Sequence, residues 1–183
     1  MSLQRTPVDP LTQATVTIAW VICINKPFYP VYVWYLVGDG VGASLGSLLA
    51  APVFLAIPFL ARHSSIIARI SLPIVGAFDT LFETRLFGQS SGTELFFGAC
   101  IMLAAVSFRA EEKWIQRGVA ALVFAVFLLS RHTGGPPLHG WSEADLVMLL
   151  DLNIFAVACL MAFIALRYAG LAIRVQPRSG ENC

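Results

Sequence analysis

Charged residues are scarce in this sequence. Asp, Glu, Lys and Arg make up 13% of the 183 residues, whereas a soluble domain of this size usually carries about a quarter. Hydrophobic residues make up 57% and occur in long runs, which is typical of a membrane protein rather than of a large soluble core. The net charge of only +1 gives no reason to expect a nucleic-acid partner.

Residues that hold cofactors are also few. The four cysteines form no CxxC pair and have no Cys/His spacing typical of zinc. None of the three histidines lies inside an apolar run, which argues against a membrane cytochrome because haem needs axial ligands at membrane depth. HExxH, P-loop and dinucleotide-binding patterns are absent as well. We therefore predict a protein without enzymatic activity of its own and without a cofactor.

Six apolar runs predict an all-α polytopic membrane protein with six transmembrane helices. The N-terminus lacks the basic and then apolar segment of a signal peptide, so we expect the first run to be retained. Residues 13–173 are predicted to form one bundle between a cytoplasmic N-terminal segment, 1–12, and a cytoplasmic tail, 174–183. The predicted spans are about 15–37, 42–61, 66–87, 94–109, 114–131 and 146–168.

Local residue patterns add detail to two of these spans. Pro27 and Pro30 interrupt the first span, and each removes a backbone donor, so a kink or a broken helix is expected there. Gly42 and Gly46 begin the second span with a small-xxx-small stripe, which favours close helix packing in lipid.

The distribution of basic residues predicts the orientation. With both termini inside, most of the twelve Lys and Arg residues lie on the cytoplasmic side, among them those of the charged turn RAEEK at 109–113. This agrees with the positive-inside rule. We therefore predict a multi-pass protein of the bacterial inner membrane, with both termini in the cytoplasm.

Ionisable and amide side chains within the predicted spans are the candidates for a ligand site, because charge is costly at membrane depth. We hypothesise that Lys26 pairs with Asp79 or Asp151 and lines a polar cavity that is open to the outside. The alternative is a buried pair that only fixes helix register, or a Lys26 that reaches water at the Pro27 break. The predicted ligand-binding set is Lys26, Asp79, Glu83, Asp151 and Asn153.

A metal site is a weaker possibility on the predicted outer side. Glu94, His132 and His139 lie in segments that we place there, and carboxylates with histidines suit a cation or a pH sensor. The alternative is that acidic residues simply remain outside once the basic ones are inside.

Three segments carry a resemblance to a known class of protein. They are the turn GQSSGTEL at 88–95, the hairpin SFRAEEKW at 107–114 and the DLN sequence at 151–153. Together with the flanking spans, over about 43–168, they resemble the N-terminal six-span membrane sensor regions of bacterial signalling proteins such as adenylate cyclases, diguanylate cyclases and histidine kinases. In those proteins a catalytic domain follows the last span, whereas here 169–183 leads into none. The resemblance therefore implies either a free-standing sensor that acts through a partner or an isolated sensor piece of a larger signalling protein.

Three functions follow from these expectations. The first is a sensory or receptor-like module that binds a small ligand or cation in the outward-facing pocket and signals through a protein partner. The second is a small transporter or channel that uses the same residues. The third is an accessory subunit that packs on a larger membrane complex, or on a second copy of itself, through the face of Gly42 and Gly46.

Overall fold

The computed structural model describes residues 9–38, 40–132 and 135–175, with side chains up to residue 171. All the regular elements within these residues are helical. Short 3₁₀ turns occur at Leu45–Ala50, Gln89–Ser91, Thr93–Leu95 and Ala110–Glu112. The α-helices are α1 (Pro10–Asn25), α2 (Phe28–Leu36), α3 (Val41–Ser44), α4 (Ala51–His63), α5 (Ser65–Phe87), α6 (Phe96–Val106), α7 (Lys113–His132) and α8 (Glu143–Val175).

Several of these helices are long and apolar enough to cross a membrane. By length and composition they are Val41–His63, Ser65–Phe87, Ala110–His132 and Glu143–Leu171, and the bent pair of α1 and α2 is a fifth if it counts as one span. The predicted fourth span, 94–109, forms a shorter apolar helix, Thr93–Val106. The all-helical, apolar bundle is thus confirmed, and the number of six spans stays a prediction. The predicted cytoplasmic segments, 1–12 and 174–183, lie mostly outside the described residues, although α8 continues to Val175.

The break in the first span lies where the sequence predicts it. α1 ends at Asn25 and α2 begins at Phe28, and their axes differ by 44°. Neither Pro27 nor Pro30 has a backbone N–H, so neither can continue the α-helical hydrogen bonds. The amide of Tyr29 instead donates to the carbonyl of Lys26 over 3.2 Å. The break therefore places Lys26 at the bend between the two helices.

The second predicted span is irregular at its start. Together α3, the 3₁₀ turn and α4 form the continuous run Val41–His63. A Cβ at Gly46 would lie 2.9 Å from a terminal methyl of Leu86, whereas one at Gly42 would meet nothing within 4 Å. Close packing is therefore present at Gly46, toward α5, but not at Gly42, which is exposed.

The central helix of the bundle is α5, which packs against α1, α4, α6 and α7, while α8 packs against α6 and α1. A capping box begins α8: the Ser142 hydroxyl accepts from the Asp145 amide over 3.2 Å, and the Asp145 carboxylate accepts from the Ser142 amide over 2.9 Å. Contacts between Asp9, Arg69 and Arg109 bring the start of α1, the start of α5 and the α6–α7 turn together at one end of the bundle.

Candidate functional site

Three charged side chains meet inside the bundle. The Lys26 ammonium lies 2.5 Å from Oδ2 of Asp79 and 2.6 Å from Oε1 of Glu83. The side chain of Lys26 is 8% exposed and that of Asp79 is 9% exposed, so the contacts are almost fully withdrawn from solvent. We call Lys26, Asp79 and Glu83 the ion cluster.

Local sequence accounts for this geometry. Asp79 and Glu83 are four residues apart on the unbroken α5, so their side chains project from the same face of the helix. Lys26 comes to that face because α1 ends one residue before it and the chain bends there. Of the two partners predicted for Lys26, the structure places Asp79 beside it, and it adds Glu83.

The ion cluster lines a cavity of about 800 Å³. Its wall comes from the α1–α2 bend, α4, α5, α6 and α8, and most of the lining side chains are aliphatic or aromatic. The neutral polar side chains on this wall include those of Asn25, Tyr29, Tyr32 and Thr80. A cavity of this size with an apolar wall and a few convergent polar groups is typical of a small-molecule site.

One atom of the ion cluster has no hydrogen-bond partner. Oδ1 of Asp79 is buried and unpaired, although Oδ2 of the same carboxylate contacts Lys26. A buried acceptor without a donor is unfavourable. The unpaired oxygen therefore marks a position at which a bound molecule would gain a hydrogen bond.

Comparison with family models, with curated proteins and with solved structures finds no match for this chain.

Asn153 lies close to the cavity but outside its wall. It is fully buried, its amide nitrogen donates to the Ser91 carbonyl over 2.9 Å, and its amide oxygen accepts from the Tyr29 hydroxyl over 3.2 Å. Since Tyr29 lines the cavity, Asn153 holds a wall residue in place and connects α2, α8 and the 88–95 turn.

The structure does not bring Asp151 to the ion cluster. Asp151 is exposed on α8 and is not among the residues that line the cavity. Two residues along a helix point about 200° apart, so a buried Asn153 directs Asp151 to the outside of the bundle. The predicted pairing of Lys26 with Asp151 is therefore not found.

The candidate metal ligands are separated from one another. Glu94 accepts from Arg131 over 2.9 Å, the His139 ring packs edge-on against Trp141, and His132 is exposed at the end of α7. Within the described residues, no group of three or more His, Cys, Asp or Glu side chains is arranged to hold a metal ion.

A second polar network, which sequence reasoning did not identify, lies at the opposite end of α1. Arg69, 3% exposed, donates to both carboxylate oxygens of Glu112 over 2.7 Å and to the Ser107 carbonyl over 3.1 Å. Its Nε lies 3.8 Å from Asp9, which also accepts from Arg109 over 2.7 Å. We call Asp9, Arg69, Arg109 and Glu112 the arginine network.

The arginine network changes the acidity of its carboxylates. The hydrogen bonds from Arg69 hold the pKa of Glu112 below its usual range. Partial burial alone would raise the pKa of Asp9, but hydrogen bonds from Arg109 and Thr12 outweigh burial and lower it. Both carboxylates are therefore charged at neutral pH and connect α1 and α5 to the α6–α7 turn.

Proposed function

We propose that the protein is a sensory, receptor-like membrane module that binds a small ligand in the cavity of the ion cluster. The observation that carries this proposal is the placement of buried Lys26, Asp79 and Glu83 at a helix break, on the wall of a cavity of about 800 Å³. Charge at membrane depth is costly, and it is usually found where a protein binds or moves something.

The connection between the two polar clusters supports signalling. α1 contacts α5 through the ion cluster near its C-terminal end and through Asp9 and Arg69 near its N-terminal end. A ligand that changes the position of Lys26 would also change the position of α1 relative to the arginine network. Since that network includes the α6–α7 turn, ligand binding would also change the position of residues 109–117.

The cellular setting belongs to the same proposal. The bundle lies in a bacterial inner membrane with six spans and both termini in the cytoplasm, and it acts through a protein partner. The likeness of 88–95 and 107–114 to sensor regions of bacterial signalling proteins and the basic α6–α7 turn support this setting. No enzymatic step is assigned to the chain.

A small transporter is the second candidate. The observation that favours it is the helix break beside buried charge, because transporters often form their sites at discontinuous helices near the middle of the membrane. The accessory-subunit hypothesis has less support, because Gly46 packs inward on Leu86 and only Gly42 of the two glycines is exposed.

A ligand screen tests the proposal. We expect a cation or small metabolite to raise the thermal stability of the purified protein, by about 2.7 kcal/mol at a hundredfold excess over its dissociation constant. The effect should be lost in Asp79→Asn and retained in Asp151→Asn, which changes an exposed carboxylate. If no compound changes the thermal stability of the wild type, the proposal of a binding site is wrong.

Two further measurements separate the sensor from the transporter. The sensor should show ligand-dependent hydrogen exchange at 109–117 and no flux of the ligand into proteoliposomes. Ligand flux that is abolished by Asp79→Asn would establish the transporter instead.

A further inference from the structure

The ion cluster contains one positive charge against two negative charges. Among the described residues that line the cavity, Lys26, Asp79 and Glu83 are the only charged ones. With all three ionised, the cavity carries a surplus of one negative charge. An uncompensated charge in a medium of low polarity is strongly unfavourable. A ligand with a single positive charge would neutralise it.

The position of the unpaired oxygen indicates how such a ligand would bind. Oδ1 of Asp79 has no hydrogen-bond partner, and the side chain that carries it is nine-tenths buried. A ligand N–H directed at this atom would satisfy the acceptor and would place its charge beside the carboxylate. The site therefore favours an amine over a cation that has no hydrogen to donate.

Part of the cavity wall reaches the outer surface of the bundle. Ile24 and Phe28, at the α1–α2 bend, line the cavity and are 59% and 50% exposed, and Phe155 of α8 lines it and is 70% exposed. The mouth between the bend and α8 is thus bordered by large apolar side chains. In a bundle surrounded by hydrocarbon, such a mouth admits molecules that are dissolved in the bilayer.

We propose that the ligand is a lipophilic amine that enters from the bilayer through this mouth. Its ammonium group donates to Oδ1 of Asp79 and neutralises the surplus negative charge of the ion cluster. Its apolar body lies against the aliphatic and aromatic wall. This inference rests on the proposed function, and it specifies the chemical class of the ligand.

Binding of radiolabelled dodecylamine to the protein in phosphatidylcholine nanodiscs tests the inference, with empty nanodiscs as background. We expect saturable binding to the wild type and to Asp151→Asn, and at least tenfold weaker binding to Asp79→Asn. Unlabelled 1-dodecanol, which has the same chain without the charge, should compete at least tenfold less well than dodecylamine. Sodium chloride at constant ionic strength should not compete.

A second variant keeps the test decisive if Asp79→Asn does not fold. Glu83→Gln removes the surplus negative charge and leaves Oδ1 of Asp79 in place. This variant should bind dodecylamine at least tenfold more weakly than the wild type does, and it should bind dodecanol as well as the wild type does.

The outcomes distinguish this inference from the proposed function. If dodecanol competes as well as dodecylamine does, the inference is wrong and the cavity is a site for a neutral molecule. If sodium displaces the labelled dodecylamine, the inference is also wrong and the cavity is a site for an inorganic cation. Absence of saturable dodecylamine binding would also overturn the inference, whereas the proposed function fails only if the wider ligand screen finds nothing.

Discussion

Asn153 and Asp151 show how two neighbouring polar residues acquire different roles. Asn153 satisfies the Tyr29 hydroxyl and the Ser91 carbonyl, and Asp151 faces outward. We predict that Asn153→Ala lowers the free energy of unfolding by about 1–3 kcal/mol, because it leaves buried polar groups without partners. The matched Asp151→Ala should change it by less than about 0.5 kcal/mol. Detergent-solubilised protein unfolded by heat or SDS gives the comparison, and equal losses in both variants would contradict the assignment.

For individual residues, the sequence predicts their spacing along a helix better than it predicts which way their side chains point. The i, i+4 spacing of Asp79 and Glu83 and the two prolines near Lys26 are local features, and the ion cluster follows from them. The choice between Asp151 and Asn153 depends on which face of α8 turns inward. In a soluble helix the apolar stripe marks the inner face, but a helix in lipid is apolar on its outer face too. Phe155 is exposed and Val157 is buried, but both are apolar, so hydrophobicity does not show which face of α8 turns inward.

At the scale of elements, the arginine network joins segments that are far apart in the chain. Arg69 is in the first turns of α5, and Glu112 is in the turn before α7. Nothing in either segment alone indicates the other, because their contact depends on how the helices pack. The sequence does contain an arginine inside an apolar run and a turn that carries charges of both signs. Each of these features by itself indicates only which side of the membrane its segment lies on.

The lowered pKa of Glu112 leads to a prediction about pH. A carboxyl group whose pKa is depressed on folding contributes stability above its unfolded value, near 4.5, and loses it as the pH falls through the lower folded value. We therefore expect Glu112→Gln to melt at a lower temperature than the wild type at pH 7, and the difference to shrink as the pH falls below about 4.5. The control is Glu111→Gln, an exposed neighbour in the same turn. A difference that stays constant with pH would show that the ionised carboxylate is not the stabilising form.

For the whole molecule, the open question is whether α6 crosses the membrane. The 3₁₀ turn Thr93–Leu95 and the 11-residue α6 rise about 21 Å at 1.5 Å per residue, less than the hydrocarbon thickness of about 30 Å. Its two ends nevertheless contact opposite ends of the bundle. Glu94 binds Arg131 in the last turn of α7, and Ser107 binds Arg69 and Tyr168 beside the turn that precedes α7. Together with its flanking turns, α6 therefore extends over the same length of the bundle as α7, which is long enough to span a membrane. We predict from this that α6 crosses the membrane as well.

The placement of the two ends of α6 predicts the side of the membrane on which two exposed residues lie. In a variant without its native cysteines, Ser90→Cys, before α6, should react with a membrane-impermeant maleimide added to intact cells, because we place that turn outside. Lys113→Cys, after α6, should react only once the membrane is opened, because we place the basic turn in the cytoplasm. Both side chains are exposed, so burial does not limit the reaction. If both cysteines react from the same side, α6 enters the membrane and returns, the bundle has five spans at most, and the termini lie on opposite sides. The arginine network would then not lie on the same side as both ends of the chain, and a signal from the cavity would reach only one of them.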